Sequence, residues 1–61
     1  MSTMTYDEAL EYAKRLRYNV NVMVGTDGDY RVIDLAAVEH WSKHLRTVAE
    51  VRIRTEVKEI K

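Results

Sequence analysis

A chain of 61 residues with ten basic and ten acidic side chains is long enough for one small domain and carries no formal net charge. Zero net charge argues against non-specific binding to nucleic acid, where neutralisation of phosphates supplies most of the affinity. The sequence contains no Cys, which excludes disulfides and thiolate metal sites, and its 46% of apolar residues is typical of a globular domain.

The first predicted element is a helix over residues 6–17. It starts with a capping box, in which the Thr5 hydroxyl accepts from a backbone N–H of the first turn and Glu8 reaches back to the cap. Basic residues crowd its last turn, where the helix dipole favours them. Its apolar residues recur at helical spacing and form one stripe: Tyr6, Ala9, Leu10, Ala13 and Leu16. Tyr12 lies off this stripe, and an exposed Tyr is a frequent interface anchor.

Two strands follow, over about 19–25 and 29–34, and the Asp27-Gly28 pair between them is a strong hairpin signal. A two-residue loop would pair Val24 with Arg31. A three-residue loop from Thr26 to Gly28 would instead pair Val24 with Tyr30, with Gly28 in the left-handed conformation. A shift of one residue moves every side chain to the other face, so we expect the three-residue loop, which keeps one face apolar.

This register defines the two faces of the hairpin. The inner, apolar face carries Val20, Val22, Val24, Tyr30 and Val32. The outer face carries Asn21, Met23, Arg31 and Ile33.

The second half of the chain predicts a helix and a last strand. Asp34 is a good helix cap, and the apolar residues Leu35, Val38, Trp41 and Leu45 predict a helix over 35–46. Residues 50–58 alternate cleanly and predict a strand. The fold class is therefore α+β, in the order α-β-β-α-β: one domain over 1–61, with a three-stranded, mainly antiparallel sheet and both helices on its one apolar face. The last strand has room beside either of the others, and we favour the first because antiparallel pairs are commoner.

The outer face of this sheet is the candidate partner-binding surface. It carries Arg31, Arg52 and Arg54 with Met23 and Ile33 among them, and nothing in the predicted fold covers it. Arg and Met are both enriched at protein interfaces, and Arg, unlike Met, also binds phosphates. RNA-binding sheets need aromatic platforms on such a face, and this face has none. A protein partner is therefore favoured over nucleic acid.

Two further interpretations of the charged residues stay open. The arginines could simply be solvated and paired across strands with carboxylates such as Asp34 and Glu56. The hairpin carboxylates Asp27 and Asp29 are ordinary turn chemistry, but they could also form an acidic contact for a basic partner.

The sequence predicts no catalytic residue, cofactor or metal. His40 and His44 are spaced i, i+4 on the second predicted helix, but the Glu of the H-E-x-x-H pattern is replaced by Trp41. The Gly-Thr-Asp-Gly-Asp loop lacks the span and the final Glu of a calcium loop. No Gly-rich phosphate loop or nucleophile motif is present, so we expect a protein that is not an enzyme.

In size, element order, lack of Cys and lack of a catalytic motif, the chain resembles the very small accessory proteins of phages and mobile elements, among them the anti-CRISPR proteins. The resemblance implies a cytoplasmic, stoichiometric inhibitor that binds a host protein or protein complex and occludes one of its surfaces. We also expect a homodimer, since a small core gains from a second subunit and the sheet edges lack Pro. The apolar runs of the sequence are too short to span a membrane.

Overall fold

The computed structural model describes residues 4–53 and 57–60, which form an α+β domain with a four-stranded antiparallel sheet. The elements in chain order are α1 (Tyr6–Arg15), β1 (Val20–Val24), β2 (Tyr30–Asp34), a 3-10 turn (Leu35–Ala37), α2 (Val38–Trp41), β3 (Arg46–Val51) and β4 (Val57–Glu59). The strand order is β2-β1-β3-β4. The predicted class is confirmed, but the prediction of three strands is wrong. None of the described helices is long and apolar enough to cross a bilayer.

Helix α1 begins where the sequence predicts. The Thr5 hydroxyl accepts from the Glu8 N–H at 3.2 Å, and the Glu8 carboxylate accepts from the Thr5 N–H at 3.0 Å, so both halves of the capping box are formed. The helix ends at Arg15, two residues earlier than predicted. Leu16 leaves the helix with an extended backbone, and its N–H turns back to the Ala13 carbonyl at 3.2 Å.

The predicted hairpin register is confirmed. Val24 pairs with Tyr30 and Val22 with Val32, so β1 and β2 share one apolar face. The loop closes through the Gly28 N–H, which donates to the Gly25 carbonyl at 3.1 Å, and Gly28 has a φ of 79°. A left-handed residue at the third loop position gives the hairpin the twist that its strands require.

Gly28→Ala is expected to lower the free energy of unfolding by about 1 kcal/mol, because only the backbone conformation opposes the new side chain. A Cβ built at Gly28 meets no atom within 4 Å, so no steric clash contributes. Urea unfolding measures the change. Gly28→Asn is the matched control, since Asn tolerates the left-handed region and is expected to recover much of the loss. An equal loss in both variants would contradict this explanation.

The predicted helix over 35–46 is wrong in its second half. Asp34 does cap the start, accepting from the Ala36 N–H at 2.9 Å, but α2 ends at Trp41. The Ser42 hydroxyl donates to the Glu39 carbonyl, and the Leu45 N–H bonds to the Trp41 carbonyl, which closes the last turn. The chain then enters β3 at residue 46, because pairing with β1 competes successfully with a short helical stripe.

The predicted strand over 50–58 is also wrong as a single strand. Its first residues complete β3, which lies antiparallel beside β1, the position favoured for the last strand. Its end forms β4, which folds back on β3 with Val51 opposite Val57. Thr55 and Glu56 lie outside the described residues. Val51 and Val57 are separated by an even number of positions, so their side chains lie on the same face whether the chain continues as one strand or folds back. The alternation alone therefore does not reveal the turn.

The main apolar core lies between α1 and one face of the sheet. Small helix residues allow close approach of the strands, and the buried cluster is Ala9, Ala13, Val20, Val22, Ala49 and Val51. Among the described residues, no side chain of segment 35–45 belongs to this cluster or packs on its margin.

Segment 35–45 lies on the opposite face of the sheet, and the prediction that this face is left uncovered is wrong. Met23 alternates with Val22 and therefore points away from α1, yet its side chain is 0% exposed. Gly25, like Met23, is odd-numbered and therefore lies on the same face of the sheet, and a Cβ on Gly25 would lie 3.1 Å from the Leu45 side chain. Helix α2 also contacts β2. The two helices therefore pack on opposite faces, rather than on one.

Candidate partner-binding site

The predicted outer-face residues do not form one open surface. Arg31 points toward the hairpin loop, where its guanidinium lies 3.8 Å from the Asp27 carboxylate and 3.6 Å from the Asp29 carboxylate. Asp27 also accepts from the Asp29 N–H at 3.0 Å and so stabilises the turn. The structure therefore brings Arg31, Asp27 and Asp29 together, with one guanidinium shared between two carboxylates.

Arg52 is held within the fold. Its guanidinium donates to the Val20 carbonyl at 3.0 Å, to the Asn21 side-chain oxygen at 3.1 Å and to the Val51 carbonyl at 3.3 Å. Glu50 lies 3.3 Å from the same group. Arg52 thus lies beside Asn21, and one nitrogen of its guanidinium is bonded within the fold while another faces Glu50. Arg54 lies outside the described residues.

Met23 and Ile33 are not an exposed apolar patch. Met23 is fully buried, so a partner cannot touch it without displacing the segment that covers it, and Ile33 is half-buried. The sequence correctly placed both side chains on the face opposite Val22. Their burial depends on segment 35–45, whose position the sequence pattern did not indicate.

His40 and His44 do not lie on one helix face. His40 belongs to α2 and packs edge-to-face against Trp41, with ring centroids 5.5 Å apart. His44 lies in the turn that follows, because α2 ends at Trp41. In the part of the chain that the structure describes, no three His, Cys, Asp or Glu side chains form a metal-binding group.

The structure contains a surface that the sequence did not predict, a groove between α1 and β2. It consists of two adjoining depressions that share Met4 and Tyr12, and it continues along Tyr30 and Val32 of β2. Tyr12 is 49% exposed, which leaves a large aromatic side chain at the centre of the groove. Its place off the apolar stripe of α1 was the sequence signal for this surface. We call it the α1–β2 groove.

Strand β2 is an edge strand, and its even-numbered residues point their backbone groups away from β1. The flanking bonds run from the Leu35 N–H to the Asn19 carbonyl and from the Gly25 N–H to the Asp29 carbonyl. Because hydrogen-bonded pairs alternate along an antiparallel ladder, the odd-numbered residues of β2 face β1 and the even-numbered ones face outward. Outward-facing N–H and C=O groups are a template for another strand.

Met4 already occupies one end of this edge. Its carbonyl accepts from the Tyr30 N–H at 3.2 Å, and its own N–H donates to the Asp29 carboxylate at 3.1 Å. Among the described residues, no backbone group outside the sheet pairs with the N–H of Val32 or of Asp34. Within residues 4–53 and 57–60, the edge is therefore occupied at Tyr30 and has no backbone partner at Val32.

Tyr6 ties α1 to both edges of the sheet. Its ring packs edge-to-face on Tyr30, with centroids 5.6 Å apart, and its hydroxyl lies near the Glu59 carboxylate. Burial raises the pKa of the Tyr6 phenol, and the negative charges of Glu59 and Asp7 raise it further. Both causes favour the neutral phenol in the folded protein.

A raised pKa of Tyr6 predicts a loss of stability at alkaline pH. The neutral phenol contributes stability that is complete below the ordinary value of 10.0 and is lost as the pH rises through the folded-state pKa. The difference in unfolding free energy between the wild type and Tyr6→Phe is therefore expected to shrink above pH 10.0. Urea unfolding at neutral and alkaline pH measures it. Tyr18→Phe, an exposed control, should follow the wild type, and a pH-independent Tyr6→Phe difference would contradict the prediction.

The α1–β2 groove thus combines an exposed aromatic side chain with strand-edge backbone groups that have no backbone partner among the described residues. No protein-family model, no curated protein and no solved structure matches this sequence.

Proposed function

We propose that this protein is a non-enzymatic protein-binding module, specifically a phage-type inhibitor like the anti-CRISPR proteins, which acts in the host cytoplasm by occluding a surface of a larger host complex. The observation that carries the proposal is the α1–β2 groove. Exposed Tyr12 supplies contact area at little cost in side-chain entropy, and Val32 supplies backbone groups beside it.

Nucleic-acid binding is the weaker candidate. The two described arginines assigned to it already face carboxylates, Arg31 at Asp27 and Asp29 and Arg52 at Glu50. A phosphate would have to compete with these partners, so little favourable charge remains for it.

A homodimer through β2 is disfavoured by the same geometry. Two copies related by a two-fold axis would pair at Val32, and Tyr30 of each copy would then lie opposite Asp34 of the other. Met4 already takes the Tyr30 N–H at this position. Analytical ultracentrifugation at micromolar concentration tests the oligomeric state, and a single species near 7.2 kDa would exclude the homodimer.

The test is capture of a partner by the tagged protein from a nuclease-treated host lysate, compared for two tyrosine variants. Tyr12→Ala is expected to reduce recovery of the complex about tenfold, as for an interface hot spot. Tyr18→Ala is the matched control, because Tyr18 is 48% exposed and lies outside the groove. The captured complex, once purified, is expected to lose its activity at one equivalent of inhibitor.

Two results would contradict the proposal. Recovery of nucleic acid with a steep salt dependence would favour the weaker candidate. Equal losses in Tyr12→Ala and Tyr18→Ala would show that the groove is not the contact surface.

A further inference from the structure

We infer that the open edge of β2 binds an extended, basic segment of the partner protein, which adds to the sheet as a fifth strand. This inference rests on the proposed function and specifies the chemistry of the partner at the same site. Strand addition supplies affinity through main-chain hydrogen bonds, and the neighbouring side chains supply the preference for sequence.

The backbone of β2 offers a short ladder for such a strand. Val32 and Asp34 have outward-facing N–H and C=O groups, since the odd-numbered residues of β2 pair with β1. Met4, whose carbonyl accepts from the Tyr30 N–H, occupies the Tyr30 position and shows that this edge accepts a backbone group from outside the sheet. The added strand therefore pairs beyond Met4, at Val32 and Asp34.

The side of the added strand that faces α1 meets an aromatic surface with an acidic rim. Tyr12 and Met4 form the apolar floor. The α1 side of the groove carries three carboxylates and one cation: Asp7, Glu8, Glu11 and Arg15.

Two of these carboxylates are available to a partner. Glu8 is used in the capping box, whereas neither Asp7 nor Glu11 has an ion-pair partner among the described residues. On the β2 side, Arg31 is already paired with the hairpin carboxylates. The electrostatic complement of the groove is thus a strand with Lys or Arg at alternate positions, which all project from one side.

A second copy of this chain is a poorer occupant. Its own β2 presents Asp34 to the groove, and Met4 obstructs the symmetric register as argued above. An acidic strand of any origin would face Asp7 and Glu11 without compensation. The experiment described next distinguishes a second copy and an acidic strand from the basic strand.

The probe is an end-blocked peptide of alternating Lys and Val, compared with its Glu and Val counterpart in titrations of the isotope-labelled protein followed by NMR. We expect the basic peptide to shift the amides of Val32, Asp34 and Tyr12. At saturation, hydrogen exchange at the Val32 and Asp34 amides should slow about tenfold, because each gains a hydrogen bond. The Arg31 and Ile33 amides, already paired with β1, should change little.

Two variants separate the backbone from the charge contribution. Val32→Pro removes an outward N–H without touching the β1 ladder, as Pro is tolerated on edge strands, and should weaken peptide binding at least about tenfold. Because Val32 also packs on the main core, the comparison uses Val32→Ala, which loses the same packing but keeps the N–H and should bind the peptide nearly as well as the wild type. The double variant Asp7→Asn and Glu11→Gln should weaken it about fivefold, an effect that salt should mimic. Glu39→Gln is the matched control, since Glu39 is exposed on α2, on the other face of the sheet.

Several outcomes would overturn the inference. Equal binding of the acidic peptide would remove the charge argument, and shifts elsewhere on the protein would remove the site. Slow exchange at Val32 and Asp34 that depends on protein concentration alone would assign the edge to a second copy. If a natural partner needs Tyr12 but binds Val32→Pro normally, the proposed function stands and strand addition is wrong.

Discussion

Met23→Ala is expected to lower the free energy of unfolding by about 3 kcal/mol, since it empties a fully buried site on the second face of the sheet. A domain of this size rarely has more than about 3–5 kcal/mol in total, so the variant should be partly unfolded at room temperature. Met23→Lys should not fold at all, because it buries a charge beneath segment 35–45. Circular dichroism and urea unfolding measure both effects.

Ile53→Ala is the control for this prediction. Ile53 is 60% exposed, so its truncation should change stability by at most about 0.5 kcal/mol. The comparison tests which face is covered: an outer face left open to solvent would make Met23→Lys nearly neutral. A soluble, cooperatively folding Met23→Lys protein would contradict the packing of segment 35–45 against β1.

The first half of the fold was predictable because its signals are local. The capping box at Thr5 and Glu8 is complete within four residues, and the helix follows from one apolar stripe. The hairpin register needs only the loop around Gly28 and the requirement for one apolar face. In each case the residues that decide the structure are neighbours in sequence.

The second half was not predictable in the same way, because its structure depends on distant pairing. Residues 42–46 fit a helical stripe as well as the turn and strand start that they form. What decides between them is the pairing of β3 with β1, which no local pattern records. The alternation through 50–58 likewise contains neither Gly nor Pro to mark the turn before Val57.

The candidate site was only partly predictable for the same reason. The alternation of side chains along the hairpin correctly assigned Met23 and Arg31 to one face. Whether that face is exposed depends on what packs against it, and Leu45, which packs there, lies outside the hairpin. The α1–β2 groove needs β2 to be an edge, which follows from the strand order β2-β1-β3-β4. Tyr12, off the stripe of α1, was its one local signal.

Arg52→Met is expected to lower the free energy of unfolding by about 2 kcal/mol, because it leaves the buried Asn21 side chain without its hydrogen-bond donor. Asn21 is 5% exposed, and its side-chain oxygen accepts from Arg52 at 3.1 Å. Met keeps the aliphatic stem but removes the donor, so the buried amide oxygen and the Val20 carbonyl lose a hydrogen bond. The half-exposed ion pair with Glu50 adds little, so moderate salt should not reproduce the loss.

A double-mutant cycle with Asn21→Leu tests this explanation. If the cost of Arg52→Met comes from the unsatisfied Asn21 side chain, the same substitution should cost at least about 1 kcal/mol less in the Asn21→Leu background. Arg17→Met is the control for loss of a surface cation, since Arg17 is exposed beyond the end of α1. Additive effects of Arg52→Met and Asn21→Leu would mean that Arg52 stabilises β1 through the backbone carbonyls alone.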